Sequence, residues 1–194
     1  MAFMRSKGLS FRRRRKKVSL SAAKFILFFI GKILITLFLA LFLVYFLGMR
    51  VTVAGSSMES TLSDGESVFV NRLVYTFSGP QSGDVIVFLP NGNEKSQYYV
   101  KRVVAVPGDT VQIVDGVLYV NGEIYDDEDT EAIENAGLAE EEITVGEDEY
   151  FVLGDNRNNS EDSRYANIGN VSEEDIVGKA WFSYAGLRDM GLVK

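Results

Sequence analysis

The sequence predicts a mostly β fold, an antiparallel sheet or barrel-like domain preceded by one N-terminal transmembrane helix. Three observations predict it. A long apolar run, Phe25–Met49, is broken only by Lys32. Beyond it, short runs rich in Val, Ile, Phe and Tyr alternate with turn dipeptides. The three prolines, Pro80, Pro90 and Pro107, all stand beside loops, which leaves those runs free of ladder breakers.

The first element is set by charge and hydropathy together. Residues 1–50 carry eleven Lys/Arg and no acid, whereas residues 51–194 carry nine Lys/Arg and all 27 acids, so the two parts are +11 and −18. The basic cluster Arg12, Arg13, Arg14, Arg15, Lys16 and Lys17 directly precedes the apolar run. In that position it is expected to be a cytoplasmic flank touching anionic lipid headgroups. The acidic remainder argues against nucleic acid as a partner. The uncharged part, Ile33–Met49, would span about 26 Å as helix, and adding Phe25–Gly31 gives about 38 Å with Lys32 snorkelling toward the cytoplasm. A cleaved secretory signal would have an apolar core of only about 7–15 residues and end in a small-x-small site. This run ends Tyr45-Phe-Leu-Gly-Met-Arg50, so an uncleaved anchor is expected. The resulting organisation is a basic tail over 1–23, a transmembrane helix over 24–49 and an extracytoplasmic domain over 50–194.

In the outer domain, Asp64-Gly65, Gly83-Asp84, Gly108-Asp109, Asp115-Gly116, Asn121-Gly122 and Gly154-Asp155 mark turns. The runs between them predict strands over Ser67–Val70, Val85–Leu89, Tyr98–Val106, Thr110–Val114, Val117–Val120 and Tyr150–Leu153. Leu118–Ile124 predicts a hairpin, because Asn121-Gly122 suits a type I′ turn. Asp126–Glu142 departs from this pattern, with nine acids among seventeen residues. It is expected to be an exposed, partly helical or mobile excursion. It lacks the alternating oxygen spacing and central glycine of a calcium loop.

The absent residues narrow the chemistry. With no cysteine and no histidine there is no thiol nucleophile, no usual general base and no usual metal ligand, so no metal or cofactor is expected. A serine nucleophile would need another base. Arginine does not deprotonate, but a neutral lysine can serve. Holding a lysine neutral near pH 7 takes roughly 4–5 kcal/mol of environmental bias, which apolar burial can supply. Of the outer domain's four lysines, Lys95 lies in a polar loop and Lys194 ends the chain, so both should be solvated. Lys179 is a candidate. Lys101 sits in Tyr98–Val106, where strand alternation puts Tyr99, Val103 and Ala105 on its face. A lysine there is either functional or an edge charge against aggregation. The pair Ser56-Ser57 after Gly55 is either a plain turn or a nucleophile whose flanking glycine lets backbone N–H groups approach an oxyanion. The loop Leu153–Arg164 concentrates acids, amides, hydroxyls and two arginines. It reads as a turn network with an Asp162–Arg164 ion pair, or as support for a site. An acid/base dyad of Asp155 and Asp162 is disfavoured, since nearby arginines would keep both ionised.

Four blocks in order, Gly55-Ser-Ser-Met-Glu-Ser-Thr-Leu62, Gly83-Asp-Val-Ile-Val-Phe88, Tyr99-Val-Lys-Arg-Val-Val-Ala-Val-Pro-Gly-Asp109 and Gly154-Asp-Asn-Arg-Asn-Asn-Ser-Glu-Asp-Ser-Arg164, follow the anchor. In this the chain resembles the bacterial type I signal peptidases, in their Gram-positive form. The resemblance implies a membrane-anchored serine endopeptidase that cleaves signal peptides from secretory precursors. Ser57 would be the nucleophile and Lys101 its general base. Ser160 would hydrogen-bond and orient the lysine amine, with Asp162 and Arg164 bracing the loop and Asp155 and Arg157 structural. The Ser57 N–H would serve the oxyanion hole. Some members add a serine hydroxyl where this chain has Gly55, so its second donor must lie elsewhere. The family often has proline where Ser60 stands, a change expected to loosen the turn without touching the chemistry. Substrate would add as a β-strand, with Val51, Val53, Met58, Leu62 and Val100 walling shallow pockets; ordinary core packing is the alternative for each. Trp181, Phe182 and Tyr184 would meet either lipid or the core. The competing functions are a non-catalytic chaperone or assembly factor of the same fold and a soluble self-cleaving Ser/Lys regulator. The presence of both Ser57 and Lys101 argues against the first, and the anchor against the second.

Overall fold

The computed structural model describes residues 20–76, 78–93, 95–125, 131–186 and 190–193. The basic cluster Arg12–Lys17 lies outside them. The chain divides into two units, Met1–Leu41 and Phe42–Lys194.

Helix α1 runs Leu20–Leu47. Its large apolar side chains from Phe25 to Tyr45 are exposed all round, so it lacks the single packed face of an amphipathic helix. Ala23–Leu47 is long and apolar enough to cross a membrane. Lys32 lies with its Nζ 4.6 Å from the Phe28 ring centre, one turn toward the N-terminus. That is the direction expected of a snorkelling lysine, since helical side chains lean that way. The helix ends at Leu47 rather than at Met49. Gly48 packs against the Val44 carbonyl, where a Cβ would come within 2.3 Å of the oxygen, and Met49 already pairs with Val70 in a sheet. Arg72 ties the helix end to that sheet: its N–H donates to Phe46 O at 3.1 Å, and its guanidinium sits over the Tyr45 ring.

The second unit is built from β1 (Met49–Thr52), β2 (Ser67–Asn71), β3 (Val85–Phe88), β4 (Tyr99–Ala105), β5 (Thr110–Val114), β6 (Val117–Val120), β7 (Glu123–Ile124), β8 (Ile143–Thr144), β9 (Glu149–Leu153), β10 (Val171–Ser172), β11 (Ile176–Tyr184) and β12 (Met190–Leu192). Among the described residues every strand pair is antiparallel. One sheet runs β1-β2-β11-β3-β4-β9-β10 with β12 on β11, and a smaller one runs β7-β6-β5-β8. Among the described residues the pairing path of the large sheet begins at β1 and ends at β10.

All six predicted strands are present. The Asn121-Gly122 hairpin forms as expected, with both residues at positive φ, 53° and 77°. The longest strand, β11, carries no clear alternation in sequence. It is interrupted by two irregularities, between Ile176 and Gly178 and between Ala180 and Phe182. It is nonetheless the centre of the large sheet, and Gly178 is required there because a Cβ would meet Asn71 O at 2.5 Å.

Three apolar clusters hold the unit. The first joins Val51, Val53, Met58, Leu62, Val68, Val70, Val85, Val87, Val100 and Ala180. The second packs Val104, Ala105, Phe151 and Leu153 of the large sheet on Val111, Ile113 and Leu118 of the small one. The third gathers Ile86, Phe88, Val103, Tyr150 and Val152. Trp181 and Phe182 are half-buried, with rings 5.8 Å apart and Phe182 against Phe69.

The acidic segment departs from expectation. Residues 126–130 lie outside the described set, but from Glu131 onward the chain is docked rather than loose. Ile133 and Ala139 are buried. The Ile133 N–H donates to Gly116 O, and Asn158 caps the strip through bonds to Ala132 O and from Glu134 N. Nine acids hid two apolar anchors, which suffice to seat the segment because backbone bonds complete the dock.

Candidate active site

The segment after β1 leaves the sheet as a tight turn whose core contacts decide where its serine stands. Val53 continues the β1 direction, with its N–H on Glu66 O and its carbonyl accepting from Gly65. The chain then reverses at Gly55, which has φ 84° and whose N–H is held by the Asp64 carboxylate at 2.7 Å. Met58 and Leu62 are buried in the first cluster, and the N–H groups of Thr61 and Leu62 both donate to Met58 O. Ser57, adjacent to a fully buried methionine, is therefore fixed at the lip of the core. Ser60 has φ 90°, a conformation closed to proline, so this turn is shaped differently from one carrying that residue.

Lys101 comes from β4. Its strand pairs with β3 along Tyr99–Arg102, but β9 joins the other side only from Arg102. The start of β4 therefore has an open edge toward Ser57. Alternation places Lys101 inward, over the Tyr99 ring, and only 4% of it is exposed. Its Nζ lies 2.7 Å from Ser57 Oγ. Burial is the main cause that brings the lysine pKa down to about 8, against opposing pulls from the Asp162 and Glu161 carboxylates. An amine so placed can take the hydroxyl proton in its neutral form. Among the described residues the Ser57 N–H donates to no acceptor, which leaves it available to a developing oxyanion.

Lys179, the other candidate, is paired with Asp84, whose carboxylate also accepts from Tyr75 Oη and Gln81 N. It has a structural partner.

The polar loop docks directly on the serine turn. Asn156 N donates to Ser57 O at 3.1 Å and Asn156 Nδ2 to Ser56 O at 3.1 Å, while Asn159 Nδ2 donates to Ser56 Oγ at 2.5 Å. Behind them, Asp162 is fully buried and accepts from Arg164 Nε at 2.8 Å, Arg164 Nη2 at 2.9 Å and Gly154 N at 3.1 Å. Arg164 also donates to Arg157 O and to Asn135 O, and Leu138 N returns a bond to Arg164 O. The docked acidic segment is thus part of the brace. Asp155 forms a two-pronged pair with Arg102, both contacts at 2.7 Å, and Arg102 reaches Gly83 O and Thr61 Oγ1 as well. Sequence reading missed Arg102, Asn156 and Asn159. The amide-rich run Asn156–Asn159 was the signal for two of them, whereas nothing local marked Arg102 as Asp155's partner.

Two expectations need correction. Ser160 Oγ is buried and makes no hydrogen bond, so the expected bond to the Lys101 amine is not formed; the hydroxyl instead lies against Gly154. Of the five residues expected to wall the substrate pockets, Val53 and Val100 line the cleft beside Ser57 and Lys101. Val51, Met58 and Leu62 are not among the residues lining it; like Val53 and Val100, they belong to the first cluster. Ala54, Gln97, Tyr98, Tyr99 and Glu161 complete a cleft of about 200 Å³.

Gly154 is the tightest point of this arrangement. A Cβ there would fall 2.2 Å from Ser160 Oγ and 2.4 Å from Ser57 O. Gly154→Ala is expected to lose about 1–3 kcal/mol of stability through forced displacement, read by thermal unfolding, together with most of the activity, because the displaced atoms belong to Ser57.

Residues 26–185 match the family model described as signal peptidase, peptidase S26. The chain belongs to the S26 signal peptidase family. Among its relatives, signal peptidase I T of Bacillus subtilis (strain 168) is 38% identical over 170 residues, 84% of this chain and 86% of that protein. Signal peptidase IB of Staphylococcus aureus (strain N315) is 36% identical over 185 residues, 86% of each chain. A crystal structure of a signal peptidase I from Enterococcus faecalis V583 aligns with 52% of this chain and 95% of that one, at 34% identity and a TM-score of 0.41. The S26 protein described here is accordingly a serine peptidase.

Proposed function

We propose that the protein is a membrane-anchored endopeptidase that removes signal peptides from exported precursors, with Ser57 as nucleophile and Lys101 as general base. The observation that carries this reading is the 2.7 Å separation of Lys101 Nζ and Ser57 Oγ, with the lysine buried. Neutral Lys101 accepts the Ser57 proton as Oγ attacks the scissile carbonyl carbon. The carbonyl oxygen takes up the negative charge facing the Ser57 N–H. Collapse expels the amine of the mature protein, which receives the proton from Lys101, and leaves an ester on Ser57. Lys101 then takes a proton from water, whose oxygen attacks the ester and frees the signal peptide's new carboxyl end.

Substrate selection follows from the cleft. The unpaired side of β4 at Tyr99–Lys101 and the segment Val53–Ala54 face one opening, which suits an extended peptide added as a strand. Val53 and Val100 on its wall fit a cleft that takes small side chains beside the cut. Asp162, Arg164 and Asn156 hold the turn that presents Ser57, and Ser160 packs behind it. The exposed helix Ala23–Leu47 supports a single span. The positive-inside rule puts the basic tail in the cytoplasm and the peptidase domain at the outer face, where translocated precursors emerge.

The reading is tested with a membrane-embedded precursor and the full chain in detergent. Because only the neutral amine can act, kcat/KM is expected to rise with pH up to about 8 and to fall about tenfold per unit below that value. Ser57→Ala should leave the precursor intact at every pH. A flat profile into the acid range, or processing by the Ser57 variant, refutes it.

A further inference from the structure

The cleft beside Ser57 has an acidic wall that the proposed reaction does not use. Glu161 lines it, and among the described residues the only other charged one lining the same cleft is Lys101. In the working form Lys101 is neutral, which leaves the Glu161 carboxylate as the single formal charge among the described residues lining the cleft. It is held from two directions: Asn167 Nδ2 donates to Oε1 at 2.6 Å, and Tyr99 Oη to Oε2 at 3.4 Å. Tyr99 belongs to the wall as well, so the carboxylate is fixed on the surface a substrate strand would touch. An exposed glutamate with no partners would sample many rotamers and impose little directional preference.

We propose that Glu161 is a specificity-determining residue that makes the cleft prefer a basic or neutral substrate side chain over an acidic one beside the scissile bond. The inference rests on the Ser57–Lys101 reading above. A carboxylate at this exposure interacts with a single substrate charge through water, so the effect is modest, about two- to fivefold for each charge change, and it weakens as salt shortens the screening length.

The charge has a second consequence. The groups that act on Lys101 besides burial are Asp162, Glu161 and Asp155, which favour its protonated form, and Arg164, which opposes it. Removing the negative charge of Glu161 therefore makes the neutral amine easier to reach. Glu161→Gln should move the acid limb of kcat/KM to lower pH, an effect that a purely structural role for the side chain would not produce.

The experiment uses the full chain in detergent and peptides spanning a cleavage site, matched except for Lys or Glu at one position on either side of the cut. Wild type is expected to cleave the Lys peptide at least about fivefold faster than the Glu peptide at one position. Glu161→Gln, which keeps one oxygen to accept from Asn167 and places an amide NH2 that can donate to the Tyr99 hydroxyl oxygen, should erase the difference, and Glu161→Lys should reverse it. Equal cleavage of the pair by wild type, or a preference that survives Glu161→Lys, overturns this inference alone. Failure of wild type to cleave any of the peptides overturns the nucleophile assignment and this inference with it.

Discussion

Lys101→Met is expected to abolish precursor cleavage and, at the same time, to make the folded protein more stable at neutral pH. Loss of a general base in contact with its nucleophile costs typically 10²–10⁴-fold, and among the described residues Lys101 is the one base hydrogen-bonded to Ser57 Oγ, so a loss of about 10⁴-fold is expected. The stability gain follows from linkage. Burial takes the Lys101 pKa from 10.5 to about 8, so between those values the unfolded chain binds more protons than the folded one. Folding stability therefore rises with pH from about 8 toward 10.5, and below 8 the full penalty is present. At pH 7 that penalty is about 3 kcal/mol. Methionine matches the stem and removes the charge, so it should recover much of this penalty. Thermal unfolding of both proteins at pH 7 and pH 10 checks the sign: the advantage of the variant must shrink at the higher pH. A variant that is less stable than wild type at pH 7 would mean that the amine is not a desolvated charge.

Asp162→Asn is expected to be the most damaging single change away from the reacting atoms. Asp162 and Arg164 are both almost wholly buried. Removing one charge leaves the other uncompensated, at a cost of about 3–5 kcal/mol. The same carboxylate holds the Gly154 N–H, and Gly154 touches both Ser57 and Ser160, so activity should fall well before the protein unfolds. The second variant, Asp162→Asn with Arg164→Gln, should be less unstable than the sum of the two single changes, because no unpaired ion remains. Additive losses would show that the pair is not coupled. The readouts are a thermal midpoint and precursor cleavage measured at a temperature where each variant is folded.

The local signals succeeded where one residue's neighbours in sequence are also its neighbours in space. Alternation along Tyr98–Val106 put Lys101 on an apolar face, and the β-rich runs between turn dipeptides became strands with antiparallel partners. Asn121-Gly122 and Asp115-Gly116 specified their hairpins because positive φ is a property of those residues themselves. The same logic failed for β11, whose role comes from pairing with β2, β3 and β12 rather than from its own pattern. It failed for the acidic segment too, since charge density says nothing about whether Ile133 and Ala139 find a core.

From its residues alone, any serine nucleophile in this chain needed a base other than histidine, and Lys101 in an apolar strand was one candidate for it. Which hydroxyl meets which amine was a matter for the fold. Ser57 and Lys101 are 44 residues apart, and they meet because Met58 is buried in the same cluster as Val100, the residue before Lys101. The fold also decided that Ser160 packs rather than bonds and that Arg102 answers Asp155. These outcomes depend on distances across strands, which are set by packing three clusters at once and have no counterpart in the order of residues along the chain.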